Sequence, residues 1–137
     1  MTADVSKYEG LQANVRDMDT PAIDTWENMY ADKHIMVSIQ SGQGEVTSIC
    51  PKTALPDFAT VHIDYIPDKL CIELKSLKEY YLFYRDIGIF HEHLTNRILD
   101  DFVTACRPRY AKVSVDMNPR GNIHVVCDAE HGVKGVI

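Results

Sequence analysis

The segment TSICPKTALPDF, residues 47–58, carries a thiol and a carboxyl group at a spacing that could do chemistry. Cys50 precedes Pro51 and Asp57 follows Pro56, so two prolines stiffen the loop between them. A thiol on a stiff loop, with a carboxyl group brought back towards it, suits a nucleophile and a proton donor. Spacing alone leaves a second interpretation open, in which the cysteine fills space and the aspartate caps a turn.

A reactive cysteine must ionise, so Cys50 needs a cationic or helix-terminal neighbour that lowers its pKa. The lysines and His91 are the candidates. His91 and Glu92 begin a predicted helix, where unpaired backbone N–H groups favour a carboxylate. Glu92 either caps that helix or accepts two hydrogen bonds from the N–H edge of a guanine-like base. His91 either transfers a proton or is an ordinary surface histidine.

The segment ELKSLKEYY, residues 73–81, places Lys75 and Lys78 three positions apart. On a helix the two lysines share a face, and the tyrosines that follow pack inward. The pair is then either a solvated face or a phosphate site, to which Arg120 could add a bidentate contact. No GxGxxG sequence is present, so a Rossmann dinucleotide site is not expected.

Apolar alternation and helical periodicity predict the elements that position these groups. Alternation indicates strands near residues 34–40, 60–65, 113–117 and 123–127. Helical periodicity extends from about Ser76 to Cys106, with a break at residues 85–88 and an end at Arg107-Pro108. The order strand, strand, helix, helix, strand, strand predicts an α+β fold, an antiparallel four-stranded sheet with two helices on one face.

Residues 1–30 have weak periodicity and predict an arm, with at most a short helical piece around Ile23–Met29. The order of this arm could depend on a partner subunit. The sheet would have two edges without strand partners. Closing such sheets into a ring would pair those edges, so we predict a cyclic homo-oligomer with sites between subunits.

Bulk properties narrow the class of protein. The 137 residues are 45% apolar, which predicts one domain over residues 1–137. A net charge of −6 disfavours direct binding to nucleic acid. The start lacks targeting signals and no long apolar run occurs, so we expect a cytoplasmic protein with no membrane contact. Four cysteines without a C-x-x-C pair predict reduced thiols and no metal site, with Cys71, Cys106 and Cys127 packed in the interior.

Several of these stretches together resemble the 7-cyano-7-deazaguanine reductases, the nitrile reductases of the queuosine pathway. The resemblance covers residues 46–125. It is carried by TSICPKTALPDFAT, GIFHEHLTNRILDD, NPRG and the signature Glu73-Leu74-Lys75-Ser76-Leu77-Lys78-Glu79-Tyr80. Only Glu79 departs from that signature, and Ala54 stands where many relatives carry glycine.

The resemblance implies the tunnelling fold, in which two-helix sheets close into rings, often as a decamer of two stacked pentamers. It implies that Cys50 adds to the nitrile carbon to form a thioimide while Asp57 supplies protons. Two NADPH then deliver four electrons and an aminomethyl group results. Glu92 would hold the pyrimidine edge of the deazaguanine, with His91 near the nitrile.

The resemblance also implies further ligand contacts. Ile72, Glu73 and Leu74 match a second substrate-contacting stretch. The residues assigned to the NADPH side, across a subunit boundary in the oligomer, are Lys75, Ser76, Lys78 and Arg120.

Two other functions stay open. A related tunnelling-fold amidinotransferase would use the same cysteine on the nitrile in tRNA. A ring-shaped purine or pterin binding protein would use Glu92 and leave Cys50 and Asp57 idle. The Cys/His ligands of the zinc-dependent cyclohydrolases cannot be assembled from tight motifs in this chain.

Overall fold

The computed structural model describes residues 12–134. In chain order its elements are β1 (Thr25–Glu27), β2 (Val37–Gln40), β3 (Val46–Ile49), β4 (Pro56–Ile66), β5 (Leu70–Ile72), α1 (Leu74–Phe83), a 3₁₀ turn (Tyr84–Asp86), α2 (His91–Cys106), β6 (Tyr110–Met117) and β7 (Val126–Gly132). Residues 1–11 of the predicted arm lie outside the described residues. No helix within residues 12–134 has the length and apolar character needed to cross a membrane.

The main sheet is antiparallel and has the order β2-β4-β6-β7. A fifth strand, β3, pairs with the first part of β4, while β2 pairs with its last part. The 11-residue length of β4 makes room for both short strands on one side. The predicted α+β fold with two helices is therefore confirmed, with one side of β4 shared between two strands.

The core lies between this sheet and α2. Val61 and Ile63 of β4 stand opposite Val115 and Val113 of β6, and all four side chains are fully buried. The ring of Tyr65 packs edge-on against Phe102 of α2, with ring centroids 4.9 Å apart. Burying an aliphatic or aromatic side chain of this kind contributes about 1.5–3 kcal/mol. Alternation in the sequence thus identified the inward face of β4 correctly.

The predicted break between the helices is confirmed. The 3₁₀ turn follows α1, and Ile87 leaves the helical conformation. Arg107 ends α2 in the left-handed conformation, with φ 45°, and donates its N–H to the Val103 carbonyl. Pro108 then prevents further helix.

Two local predictions are wrong. Residues Ile23–Met29 contain no helix; instead β1 pairs with β5, with Thr25 opposite Ile72. The strand is favoured because the short β5 would otherwise expose its backbone groups, a tertiary effect that local propensity does not show. The last strand begins at Val126 rather than at residue 123, because Ile123 is engaged in a bridge with Arg120 in the turn.

Residues of the arm from Gln12 onward lie against their own chain. The guanidinium of Arg97 donates hydrogen bonds to the carbonyls of Val15 and Met18. The Ala13 N–H donates to the Gly88 carbonyl at 2.7 Å. These contacts hold the described part of the arm on α2 and on the loop before it.

Candidate active site

Cys50 follows directly after β3 and sits in a closed turn. Its N–H donates to the Leu55 carbonyl at 2.8 Å, and its carbonyl accepts from the Ala54 N–H at 2.9 Å. One residue earlier, Ile49 exchanges backbone hydrogen bonds with Ile87 and Ile89 in the loop before α2. The strand end that carries the thiol is therefore fixed beside the start of α2.

The surroundings of Cys50 favour the thiolate. Burial raises the pKa of the thiol, but hydrogen bonds from the Thr53 side chain and from the backbone of Thr53 and Lys52 outweigh burial, and the pKa lies below its ordinary value. The negative charge of Asp57 opposes this decrease. The hydrogen-bond donors that lower this pKa belong to the turn itself, and a contribution from a lysine side chain or from His91 stays a prediction.

Asp57 lies on β4 and is 8% exposed. Its Oδ2 is 3.1 Å from Nε2 of His91, and its Oδ1 is 3.2 Å from Nη2 of Arg120. A buried carboxylate requires such partners, since an unpaired charge in the interior is costly. A thiol with a carboxyl group and an imidazole in the same cleft is the set of groups that a nucleophile and a proton donor require.

Cys50, Asp57, His91 and Arg120 line one cleft of about 270 Å³. Phe90, Met117, Ile123 and Val125 give this cleft apolar walls. A larger cleft of about 1060 Å³ lies between residues 12–16 and α2, and no cysteine lines it. We take the smaller cleft as the candidate active site because it contains the reactive groups.

Glu92 lies in the first turn of α2, exposed to solvent. The N-cap residue of this helix is Phe90, which provides no side-chain cap. Within residues 12–134 the Glu92 carboxylate accepts no hydrogen bond, although its charge adds to the burial that raises the pKa of Cys127. Glu92 therefore keeps its acceptor oxygens free for a ligand.

The start of α1 is arranged differently. Glu73 is its N-cap, and its carboxylate accepts from the Lys75 and Ser76 N–H groups at 2.6 and 2.9 Å. These hydrogen bonds lower the pKa of Glu73. Lys75 and Lys78 are exposed on the surface of the helix, as is Leu74, which is 59% exposed.

Two predicted ligand contacts are buried in this chain. Ser76 is 5% exposed, and its hydroxyl accepts from the Asp24 N–H and donates to the Glu73 carbonyl. Ile72 belongs to the core, and its N–H donates to the Tyr65 hydroxyl at 3.0 Å. Both residues are therefore held at the start of α1, and their contact with a ligand stays a prediction.

Arg120 lies apart from the two lysines, although the sequence grouped all three. Besides Asp57, its guanidinium donates to Thr53 Oγ1 at 3.4 Å and to the Pro56 carbonyl. It thus bridges the turn that holds the thiol and the carboxyl group. The cleft contains Arg120, while residues 72–78 are absent from its lining.

Sequence reasoning missed Thr53 and Ser48. Thr53 stands three residues after Cys50, a spacing at which a hydroxyl can return to its own turn. Ser48 stands opposite Asp57 in the β3–β4 ladder and is 1% exposed. Its hydroxyl has no hydrogen-bond partner among the described residues. Opposed strand residues share a face, so a strand register would have placed Ser48 beside Asp57.

The polar side chains of residues 12–134 determine whether a metal ion or NADPH could bind. Among residues 12–134, no group of three His, Cys, Asp or Glu side chains could hold a metal ion. Glu73 occupies the helix N-terminus of α1, so a phosphate would be held there by the ammonium groups of Lys75 and Lys78. Two exposed ammonium groups on neighbouring turns fit a phosphate as point charges.

Comparisons with known proteins agree with this geometry. Residues 56–135 match the family described as QueF-like protein. A relative from Elusimicrobium minutum, named NADPH-dependent 7-cyano-7-deazaguanine reductase, is 52% identical over 83% of this chain and 84% of its own. A relative of the same name from Chlorobaculum tepidum is 51% identical over 77% of this chain and 89% of its own. Another from Chlorobium phaeovibrioides is 44% identical over 86% of this chain and 100% of its own.

Among solved structures, the archaeosine synthase QueF-Like in the apo form is 26% identical and aligns with a TM-score of 0.63. The alignment covers 73% of this chain and 94% of that one. The fold and the cleft define a tunnelling-fold protein with a cysteine in its candidate active site. The chain belongs to the QueF-like family. The three relatives described above are members that carry the name NADPH-dependent 7-cyano-7-deazaguanine reductase.

Proposed function

We propose that this protein is an NADPH-dependent oxidoreductase that reduces the nitrile 7-cyano-7-deazaguanine to 7-aminomethyl-7-deazaguanine in queuosine biosynthesis. The observation that carries the proposal is the cleft in which a thiol of lowered pKa lies with a buried Asp57–His91 pair. Relatives that are 44–52% identical carry the name of that activity.

The first step forms a covalent bond to the substrate. A nitrile is a weak electrophile, and the Cys50 thiolate adds to its carbon to give a thioimide. One bond of the C≡N group opens, and its nitrogen takes one proton. Asp57 donates this proton and becomes a carboxylate, which His91 then stabilises.

Reduction needs four electrons and leaves the thiol free. NADPH, when bound, supplies a hydride, and two are consumed for each nitrile converted to an aminomethyl group. The Asp57–His91 pair returns a proton to the nitrogen after each hydride arrives. Cys50 leaves as a thiolate, which its turn stabilises through Thr53 and the backbone N–H groups.

Substrate recognition requires a carboxylate beside the cleft. Glu92 supplies it with free oxygens, which suit the paired N–H groups of the pyrimidine edge. The stretch Ile72–Leu74 lies outside the cleft of its own chain. We propose that this stretch reaches the cleft of a neighbouring subunit in a cyclic oligomer, a decamer of two stacked pentamers. In that oligomer the exposed side chain of Leu74 contacts the substrate, and the buried Ile72 holds the stretch in place.

The NADPH contacts follow from the exposed cations. Lys75 and Lys78 hold phosphate, Ser76 fixes the helix turn that carries them, and Arg120 can join them only by leaving Asp57.

Sedimentation at several protein concentrations checks the oligomer, and a monomeric mass would remove the shared site. The net charge of −6 supports a free base rather than a polynucleotide as substrate. We place this activity in a single cytoplasmic domain.

Intact-protein mass spectrometry with the nitrile base tests the proposal. Wild type should gain the mass of one base per chain, and Cys50→Ala or Cys50→Ser should gain none. Persistence of an adduct of that mass in either variant would refute the assignment of Cys50. Cys127→Ser is the matched control, because its thiol lies outside the cleft and its pKa is raised, chiefly by burial.

The 26% identical archaeosine synthase favours a second candidate, the amidine-forming reaction on the same nitrile in tRNA. The absorbance of NADPH distinguishes the two. Oxidation of two NADPH per free nitrile base establishes the reductase. Adduct formation with no NADPH oxidation would favour the amidinotransferase, and neither reaction would favour a binding protein.

A further inference from the structure

Arg120 stands between the two reactive groups of the cleft. Its guanidinium contacts Oδ1 of Asp57 at 3.2 Å and Oγ1 of Thr53 at 3.4 Å. Thr53 in turn donates to the Cys50 sulfur. One cation therefore contacts the proton donor directly and the nucleophile through a single hydroxyl.

The segment that carries Arg120 projects from the sheet. Gly121 and Asn122 adopt positive φ values of 59° and 67°, and no side chain or backbone lies within 4 Å of the space that a Cβ on Gly121 would occupy. The Arg120 side chain is 43% exposed, whereas that of Asp57 is 10% exposed. The cation can therefore leave the pair towards solvent, and the carboxyl group cannot follow it.

The geometry has a consequence for proton donation. Both oxygens of Asp57 face nitrogen, with Arg120 on Oδ1 and His91 on Oδ2, and Cys50 is the third titratable group that faces it. An arginine always donates, so no proton can sit on Oδ1 while that contact lasts. Yet the addition to a nitrile requires a protonated Asp57.

We propose that Arg120 is a positioning residue that occupies Oδ1 of Asp57 in the free enzyme and releases this oxygen when a dinucleotide phosphate draws the guanidinium away. The inference deepens the proposed function and rests on it. A phosphate is the chemistry that competes for this side chain, because a guanidinium binds phosphate and carboxylate oxygens in the same bidentate manner. Cofactor binding would thereby be coupled to proton donation, and an enzyme without cofactor would form the thioimide slowly.

Adduct formation without reduction tests the coupling. The nitrile base is mixed with enzyme, with and without saturating NADP⁺, which has no hydride to give, and adduct is followed by mass spectrometry. Productive addition needs a Cys50 thiolate and a protonated Asp57. We expect NADP⁺ to accelerate adduct formation in wild type by about tenfold, the factor that corresponds to loss of one hydrogen bond between Arg120 and the Asp57 carboxyl group.

Variants identify the residue responsible. Arg120→Gln should form adduct about tenfold faster than wild type in its rate profile near neutral pH without NADP⁺, because Oδ1 of Asp57 is then free of the guanidinium, and should lose the acceleration by NADP⁺. Arg120→Lys keeps the cation but lacks the bidentate fork, so its rate of adduct formation should fall between those of wild type and Arg120→Gln. The thiolate fraction, measured by iodoacetamide labelling of Cys50, normalises each rate. Arg107→Gln, at the far end of α2, is the matched control and should behave as wild type.

Two results would overturn the inference. One is a wild-type rate that does not respond to NADP⁺ at concentrations shown by equilibrium dialysis to saturate the enzyme; this measurement needs no variant to fold. The other is an Arg120→Gln profile that superimposes on wild type or is slower. Failure of wild type to form any adduct would instead defeat the proposed function, so the two failures are distinguishable.

Discussion

The two helices begin in opposite ways, although a glutamate stands at the start of each. At α1, Glu73 turns its carboxylate back onto the Lys75 and Ser76 N–H groups and closes the helix end. At α2, the side chain of Phe90 provides no cap, and the exposed Glu92 carboxylate accepts no hydrogen bond within residues 12–134. Only the second helix start borders the cleft that contains the thiol.

The difference shows what a helix N-terminus can be used for. A capping carboxylate satisfies the orphan N–H groups and stabilises the fold. A carboxylate that is free in the first turn keeps its acceptor capacity for a ligand. Glu73 thus already has a structural task, to which any substrate contact must be added, whereas Glu92 has none within residues 12–134.

The largest effect is expected from Asp57→Asn, on the β4 residue that pairs with His91 of α2. The amide keeps the shape but cannot donate a carboxylic proton, so adduct formation and NADPH oxidation should fall by roughly 10²–10⁴. Stopped-flow absorbance and mass spectrometry measure both. Asp100→Asn, which changes an exposed carboxylate of α2, should alter neither adduct formation nor NADPH oxidation. A loss below about tenfold would show that another group supplies the proton.

Substituting each of the two glutamates in turn tests the comparison between the helix starts directly. Glu92→Gln should raise KM for the nitrile base by about 10- to 100-fold, as expected for a lost charge-assisted hydrogen bond, and should leave the melting temperature unchanged. Glu73→Ala should lower the melting temperature by a few degrees through loss of the cap. Melting is compared at matched protein concentration. The opposite pattern would reverse the roles given to the two helix starts.

The lysines of α1 give a smaller and separate effect. Lys75→Gln and Lys78→Gln should each raise KM for NADPH by roughly 3- to 10-fold, because each removes one point charge from the phosphate. Adduct formation without cofactor should stay as in wild type. Lys112→Gln, on β6, is the control for the loss of a surface charge. A matching decrease in adduct formation would mean that these lysines act on the thiol instead.

A change of a few fold is expected at the turn that carries the thiol. Thr53→Val removes a hydrogen bond that lowers the pKa of Cys50, so the pKa rises and less thiolate is present at neutral pH. The rate of iodoacetamide labelling at Cys50, resolved by peptide mapping, should fall by about 3- to 10-fold. Thr104→Val, an exposed threonine of α2, should leave it unchanged. An unchanged rate in Thr53→Val would leave the backbone N–H groups as the cause.

The smallest effect concerns backbone strain in the same turn. Ala54 has φ 59°, in the left-handed region that favours glycine. Ala54→Gly should therefore stabilise the fold by about 0.5–1 kcal/mol, since relief of strain exceeds the added chain entropy. Thermal unfolding would show a rise of a few degrees with unchanged KM values. A decrease would mean that the native turn tolerates alanine without strain.

Local pattern was sufficient for much of the fold. Alternation identified the buried face of β4, and fourfold periodicity identified the buried stripe of α2, because both depend on neighbours within one element. Pairings between distant segments could not be predicted in this way. The β1–β5 pair occupies residues expected to be helical, since its stability comes from a partner strand that lies far away in the chain.

By themselves, the residue types and their spacing determined which groups could react: one cysteine on a proline-stiffened loop, one aspartate after it, and a histidine and glutamate at a helix start. Tertiary structure alone decided how those groups are used. It placed Arg120 on Asp57, made Glu73 a cap and buried Ser76, because hydrogen bonds and ion pairs depend on distance in space, which the order of residues does not specify.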